Sequence, residues 1–105
     1  PMLGDVVCLK DLDEEKWFYV LGKSDKENRI LASKADNDFE DIFTKTVNID
    51  IDKNIFLFIG SPEKSPLKLN SKILKHSQTV KKNWYNEINI DEKMSEGWYL
   101  DGPVE

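Results

Sequence analysis

The sequence predicts a mainly β domain, a β-rich α+β fold in which a small, strongly curved antiparallel sheet or barrel carries one or two short helices. Short segments rich in aromatic and β-branched residues recur along the chain, most clearly Trp17-Phe18-Tyr19-Val20-Leu21. Turn chemistry separates them: Gly22, the polar stretch Ser24 to Asn28, then Gly60-Ser61-Pro62 and Ser65-Pro66. At 105 residues and 39% hydrophobic content the chain is long enough for one core, so residues 1–105 are expected to form a single domain.

The elements follow in order. Gly4-Asp5 opens a short strand over Val6 to Leu9. Asp11-Leu12-Asp13-Glu14-Glu15 reads as an acidic turn. Trp17 to Leu21 is the strongest strand signal and closes at Gly22. Arg29 to Ser33 is the returning strand of a hairpin, and Ala35 to Asp41 is irregular or one helical turn. In Thr46 to Ile51, Val47, Ile49 and Ile51 alternate with polar residues, the period of a strand with one buried face. Ile55-Phe56-Leu57-Phe58-Ile59 is an uninterrupted apolar run, expected to be buried on both faces. Leu67 to Tyr85 admits a helix, with Leu69, Ile73, Val80 and Trp84 on one face and Lys68, Lys72, Lys75 and Lys82 on a neighbouring stripe. In that helix Ser65 would cap and Pro66 would take the first position. A strand remains open around Ser71 to His76. Gly97 to Gly102 reads as a final strand or an aromatic anchor. The architecture that best collects these elements is a small antiparallel SH3-like barrel or curved sheet.

Charge is arranged in three blocks. Residues 1–60 carry a net -5, residues 61–86 a net +5 and residues 87–105 a net -5, matching the formal -5 of the chain. A basic segment between acidic ones implies internal neutralisation or a face prepared for an anion. Lys64, Lys68, Lys72, Lys75, Lys81 and Lys82, with Trp84 and Tyr85 following, are candidate contacts for the phosphates and bases of a nucleic acid; the alternative is a solvated helix face paired with the flanking acids. The overall acidity works against a polyanion. Lysines with a single arginine, Arg29, also favour solubility over bidentate recognition.

Little else offers chemistry. Cys8 is the only cysteine, so no disulfide can form within the chain; it sits in an apolar run and reads as a buried hydrophobe. No apolar run approaches the roughly 20 residues of a membrane helix, and the first residues lack a basic start followed by an apolar stretch. A cytoplasmic protein without membrane association is therefore expected. Asp36-Asn37-Asp38 begins like a calcium loop, yet its sixth and twelfth places hold Asp41 and Val47 instead of Gly and Glu. No metal and no cofactor are expected. His76-Ser77 is the only neighbourhood offering a base beside a hydroxyl.

In outline, Gly4-Asp5-Val6-Val7, the strand Trp17 to Leu21, Arg29-Ile30-Leu31-Ala32-Ser33 and Leu67 to Leu74 resemble the PemK/MazF-like toxins. These are small SH3-like barrels that cleave RNA without a metal. The resemblance spans about residues 4–80. It implies Arg29 as the catalytic guanidinium, with Thr46 or Thr44 as the hydroxyl that assists. The family's Arg-Pro step is Arg29-Ile30 here.

Two functions are therefore expected. The first is a non-catalytic protein-binding module of the inhibitor, immunity or phage anti-defence type. Its acidic surfaces, Asp11 to Glu15, the stretch with Asp36, Asp38, Glu40 and Asp41, and the acidic tail, would steer toward a basic partner; Trp84 and Trp98 are candidate anchors, as is Trp17, which reads rather as a core residue. The second is the metal-independent endoribonuclease, the toxin of a toxin–antitoxin pair. A homodimer is open under both.

Overall fold

The computed structural model describes residues 2–24 and 28–87. Five strands appear where the apolar patterns place them: β1 (Val6–Asp11), β2 (Glu14–Lys23), β3 (Arg29–Lys34), β4 (Thr46–Asp50) and β5 (Ile55–Gly60). They form one antiparallel sheet in the order β4-β3-β2-β1-β5, open between β4 and β5. Short 3-10 turns occupy Asp41–Phe43 and Pro62–Lys64, and one helix, α1, spans Ser71–Glu87.

The connection between β4 and β5 requires the sheet to roll. These strands lie on opposite edges, so a flat sheet would separate them by four spacings, about 19 Å. Only Ile51 to Asn54 join them. Even drawn straight, the steps from Asp50 to Ile55 reach at most about 18 Å. The joint is not straight, because the Asn54 amide folds back to donate to the Asp50 carbonyl at 2.8 Å. Curling is helped by two bulges. Leu21 is the extra residue of β2 against β3, and Leu57 that of β5 against β1.

Rolling creates an inner core made of strand residues alone: Val7, Leu9, Phe18, Val20, Ile30, Ala32 and Ile49, with Phe56 and Ile59 packed on them. The outer face has a second cluster, in which Val6 and Tyr19 of the sheet meet Ile42 and Ile73. Ile73 comes from α1 and is fully buried, so α1 docks on this face. Polar contacts fix the docking. Ser77 Oγ donates to the Gly4 carbonyl at 2.6 Å, and Lys81 Nζ meets the buried Asp5 carboxylate at 2.7 Å. Gly4 has φ +90, and a Cβ there would stand 3.0 Å from Val80 Cγ2, so glycine permits both the turn and the close approach.

Several boundaries differ from the sequence reading, each for a local reason. The acidic turn is only Leu12-Asp13, because Glu14 and Glu15 are paired in register with Asp11 and Lys10 and belong to β2. Ile55 to Ile59 is not buried on both faces: β5 is an edge strand, and Ile55 and Leu57 are exposed. On the other edge strand Val47 is exposed while Ile49 is buried, and Ile51, expected in that strand, falls in the link after β4 and is exposed. The helix begins at Ser71, and its start is capped by Asn70, whose Oδ1 accepts the Lys72 N–H at 2.8 Å. Ser65 and Pro66 lie in the preceding loop, where Ser65 Oγ donates to the Pro62 carbonyl. No helix among the described residues is long and apolar enough to cross a membrane. Gly97 to Gly102 lies outside the described residues.

Candidate protein-docking surface

The β1–β2 hairpin turns in two residues, and such turns demand backbone that glycine and asparagine supply. Here the first turn residue is Leu12, with φ +56 and 86% of its surface exposed. A bulky side chain in left-handed backbone is a steric outlier, and this one has no burial to compensate it. Asn28, the other non-glycine residue with positive φ among those described, is of the type that tolerates it.

Two more aliphatic residues are exposed on the neighbouring edge strand, Ile55 at 64% and Leu57 at 47%. Ile55 pairs with Lys10 of β1, which in turn pairs with Glu15, so this end of β5 lies beside the hairpin. Leu12 and Leu57 line a shallow groove of about 370 Å³ with Lys10, Asp13, Glu14 and Glu15. The surface is therefore aliphatic at its centre and ringed by three acids against one lysine. Asp11, at the base of the turn, is ion-paired with Lys16 at 2.7 Å.

A second groove, of about 280 Å³, lies around Trp17 and Leu67 and carries Lys16 and Lys34 against Glu15 and Asp36. Asp36 lines this groove, which its acidic neighbours do not. Asp38 and Glu40 are solvent-exposed, and Asp41 meets Lys45 at 3.4 Å at the start of a 3-10 turn. The stretch Asp36 to Asp41 does not gather into a metal site, and no cluster of metal-ligating side chains occurs among the described residues.

Arg29 and Thr46 occupy opposite ends of one strand pair. Arg29 is opposite Asp50, and its Nε donates to Asp50 Oδ1 at 2.6 Å. Thr46 is opposite Ser33, four residues along β3 and so about 13 Å from the Arg29 rung. Thr46 is exposed, and Thr44 donates to the Asp41 carbonyl.

On α1, Lys72, Lys75 and Lys82 form the exposed stripe that helical spacing anticipates. Trp84 follows Ile73, Ser77 and Val80 on the face turned toward the sheet and is half-buried, so it does not share a surface with those lysines. Among the described residues, Lys81 is the one member of the basic block that forms an ion pair. Trp98 lies outside the described residues.

His76 and Ser77 do not form a nucleophile and base. Ser77 is buried and donates to Gly4. His76 Nδ1 lies 2.7 Å from the Tyr19 hydroxyl, and its ring packs edge-on against Phe39 and Phe43. Burial raises the Tyr19 phenol well above its usual value, so it stays protonated beside the imidazole. Burial also holds the imidazole below its usual 6.5. Cys8 is buried, and desolvation, with a smaller contribution from Glu15, raises its thiol, which opposes thiolate chemistry.

Leu12, Ile55 and Leu57 escaped the sequence reading. A signal for Leu12 was present: a large hydrophobe at the centre of an acidic turn has no core to enter. Comparison of the chain with family models, with curated proteins and with solved structures returns no match.

Proposed function

We propose that this chain is a protein-binding module of the inhibitor or immunity type, including phage anti-defence proteins, and that it engages its partner through the β1–β2 hairpin and the adjoining end of β5. The observation that carries this reading is Leu12, exposed at 86% in left-handed backbone. Strain that persists without stabilising the fold points to a use outside it. Ile55 and Leu57 extend the aliphatic centre, and Asp13, Glu14 and Glu15 rim it. Exposed apolar surface with a polar rim is the anatomy of a recognition site. The rim selects a basic partner, as the acidic turn in the sequence anticipates, and the net charge of -5 would speed the encounter.

The ribonuclease reading draws less support, since Arg29 is held by Asp50 and Thr46 stands several rungs away. The test is site-specific photo-crosslinking in cells. A crosslinking residue in place of Asp13, beside the patch, should capture one defined basic protein. The same residue in place of Thr79, exposed on α1, should not. Adding Leu12→Asn should abolish the Asp13 crosslink. Equal capture from both positions, or capture that survives Leu12→Asn, would sink the proposal.

A further inference from the structure

We infer that the partner is recognised by strand addition: an extended segment pairs with the open edge of β5, with aliphatic side chains over Ile55 and Leu57 and lysine or arginine at the end beside the hairpin. This rests on the docking reading above and adds the mode of recognition and the chemistry of the partner. β5 is hydrogen-bonded to β1 on one side, and no described strand pairs with its other side. Exposed edges are normally blunted by charge or proline, because their free backbone groups recruit any passing strand.

The two edges of this sheet differ in that protection. On β4, Thr46, Asn48 and Asp50 place a polar residue at every second position. On β5, Ile55–Gly60 carries no charged residue, no polar side chain and no proline. The bulge at Leu57 is the one irregularity along it, and the bulged residue is itself exposed rather than turned inward. An unprotected edge beside an exposed Leu12 is the arrangement that strand addition uses, with main-chain hydrogen bonds for affinity and side-chain contacts for selectivity.

Charge complementarity decides the occupant. At the hairpin end the groove carries Asp13, Glu14 and Glu15 against Lys10. A second copy of β5 would bring no cation to meet them, and two chains of net -5 repel. A segment with aliphatic residues at alternate positions and a basic terminus satisfies both the edge and the rim.

The probe is an amidated heptapeptide of two lysines followed by alternating valine and threonine, titrated into the full chain and followed by amide NMR. Saturable shifts are expected over Ile55–Gly60 and over residues 12–15. Replacing the two lysines by glutamates, N-methylating alternate peptide amides, or introducing Ile55→Lys or Leu57→Asp should each weaken binding about tenfold or more. Equal binding of the N-methylated peptide would overturn strand addition while leaving the docking surface standing. Persistence of the crosslink at position 13 after Leu12→Asn would instead remove the docking reading itself. No shift on β5 at millimolar peptide would overturn the inference. So would concentration-dependent dimerisation that Leu57→Asp abolishes, since it would assign the edge to a second copy.

Discussion

Replacing Leu12 with asparagine is expected to stabilise the fold while removing function. At φ +56, a leucine carries a backbone cost of about 1–2 kcal/mol, and asparagine relieves much of it because its short amide bonds locally. The loss to set against this is small. Full burial of a leucine contributes about 2 kcal/mol, and with 86% of Leu12 exposed only about 0.3 kcal/mol of that is present. The net expectation is a gain of about 0.5–1 kcal/mol. With a urea m-value of about 1 kcal/mol/M, the unfolding midpoint should rise by about 0.5–1 M. The assay is urea denaturation of both proteins, followed by circular dichroism and tryptophan fluorescence to check that the transitions coincide. A fall in the midpoint of about 0.5 M or more would refute the reasoning. It would mean that Leu12 is packed where the fold depends on it, and its exposure would no longer speak for a partner.

Three further outcomes follow from the same structure. Lys81→Met should destabilise by about 3–5 kcal/mol, because the Asp5 carboxylate, only 2% exposed, loses an ammonium 2.7 Å away; Asp5→Asn in the same chain should restore part of that loss in urea melts. His76 is held neutral by burial, whereas the unfolded chain takes up its proton near pH 6.5. Its contribution is therefore complete above that pH and declines as pH falls from 6.5 toward the lowered folded value, by no more than about 1.4 kcal/mol per pH unit; His76→Gln should flatten the stability profile in that window. Purified wild type and Arg29→Ala should be equally inactive on RNA in magnesium-free buffer, and cleavage by wild type alone would return the weight to the ribonuclease.

Five strands were legible in the chain because each depends on local pattern, whereas the helix was one of two readings, with a strand left open around Ser71 to His76, where α1 begins. The aromatic run at Trp17, the alternation from Thr46 and the helical spacing of Ile73, Val80 and Trp84 are properties of neighbouring residues. The acidity of the Asp11 to Glu15 stretch and the buried character of Cys8 were legible for the same reason. What the pattern could not tell was which strand would be an edge. Ile55 to Ile59 is the most apolar run in the chain and carries the signature of a central strand, yet it lies at the rim of the sheet. Strand order is set by pairings between residues far apart in sequence, such as Val7 with Ile59, and by the short Ile51 to Asn54 link that makes the sheet roll. Those same pairings hold Arg29 against Asp50 and away from Thr46, and they carry the end of β5 to the hairpin where Leu12 is exposed. Composition and periodicity determined what the elements are; only long-range pairing decided which side chains they leave to solvent, because exposure depends on neighbours that the local sequence does not contain.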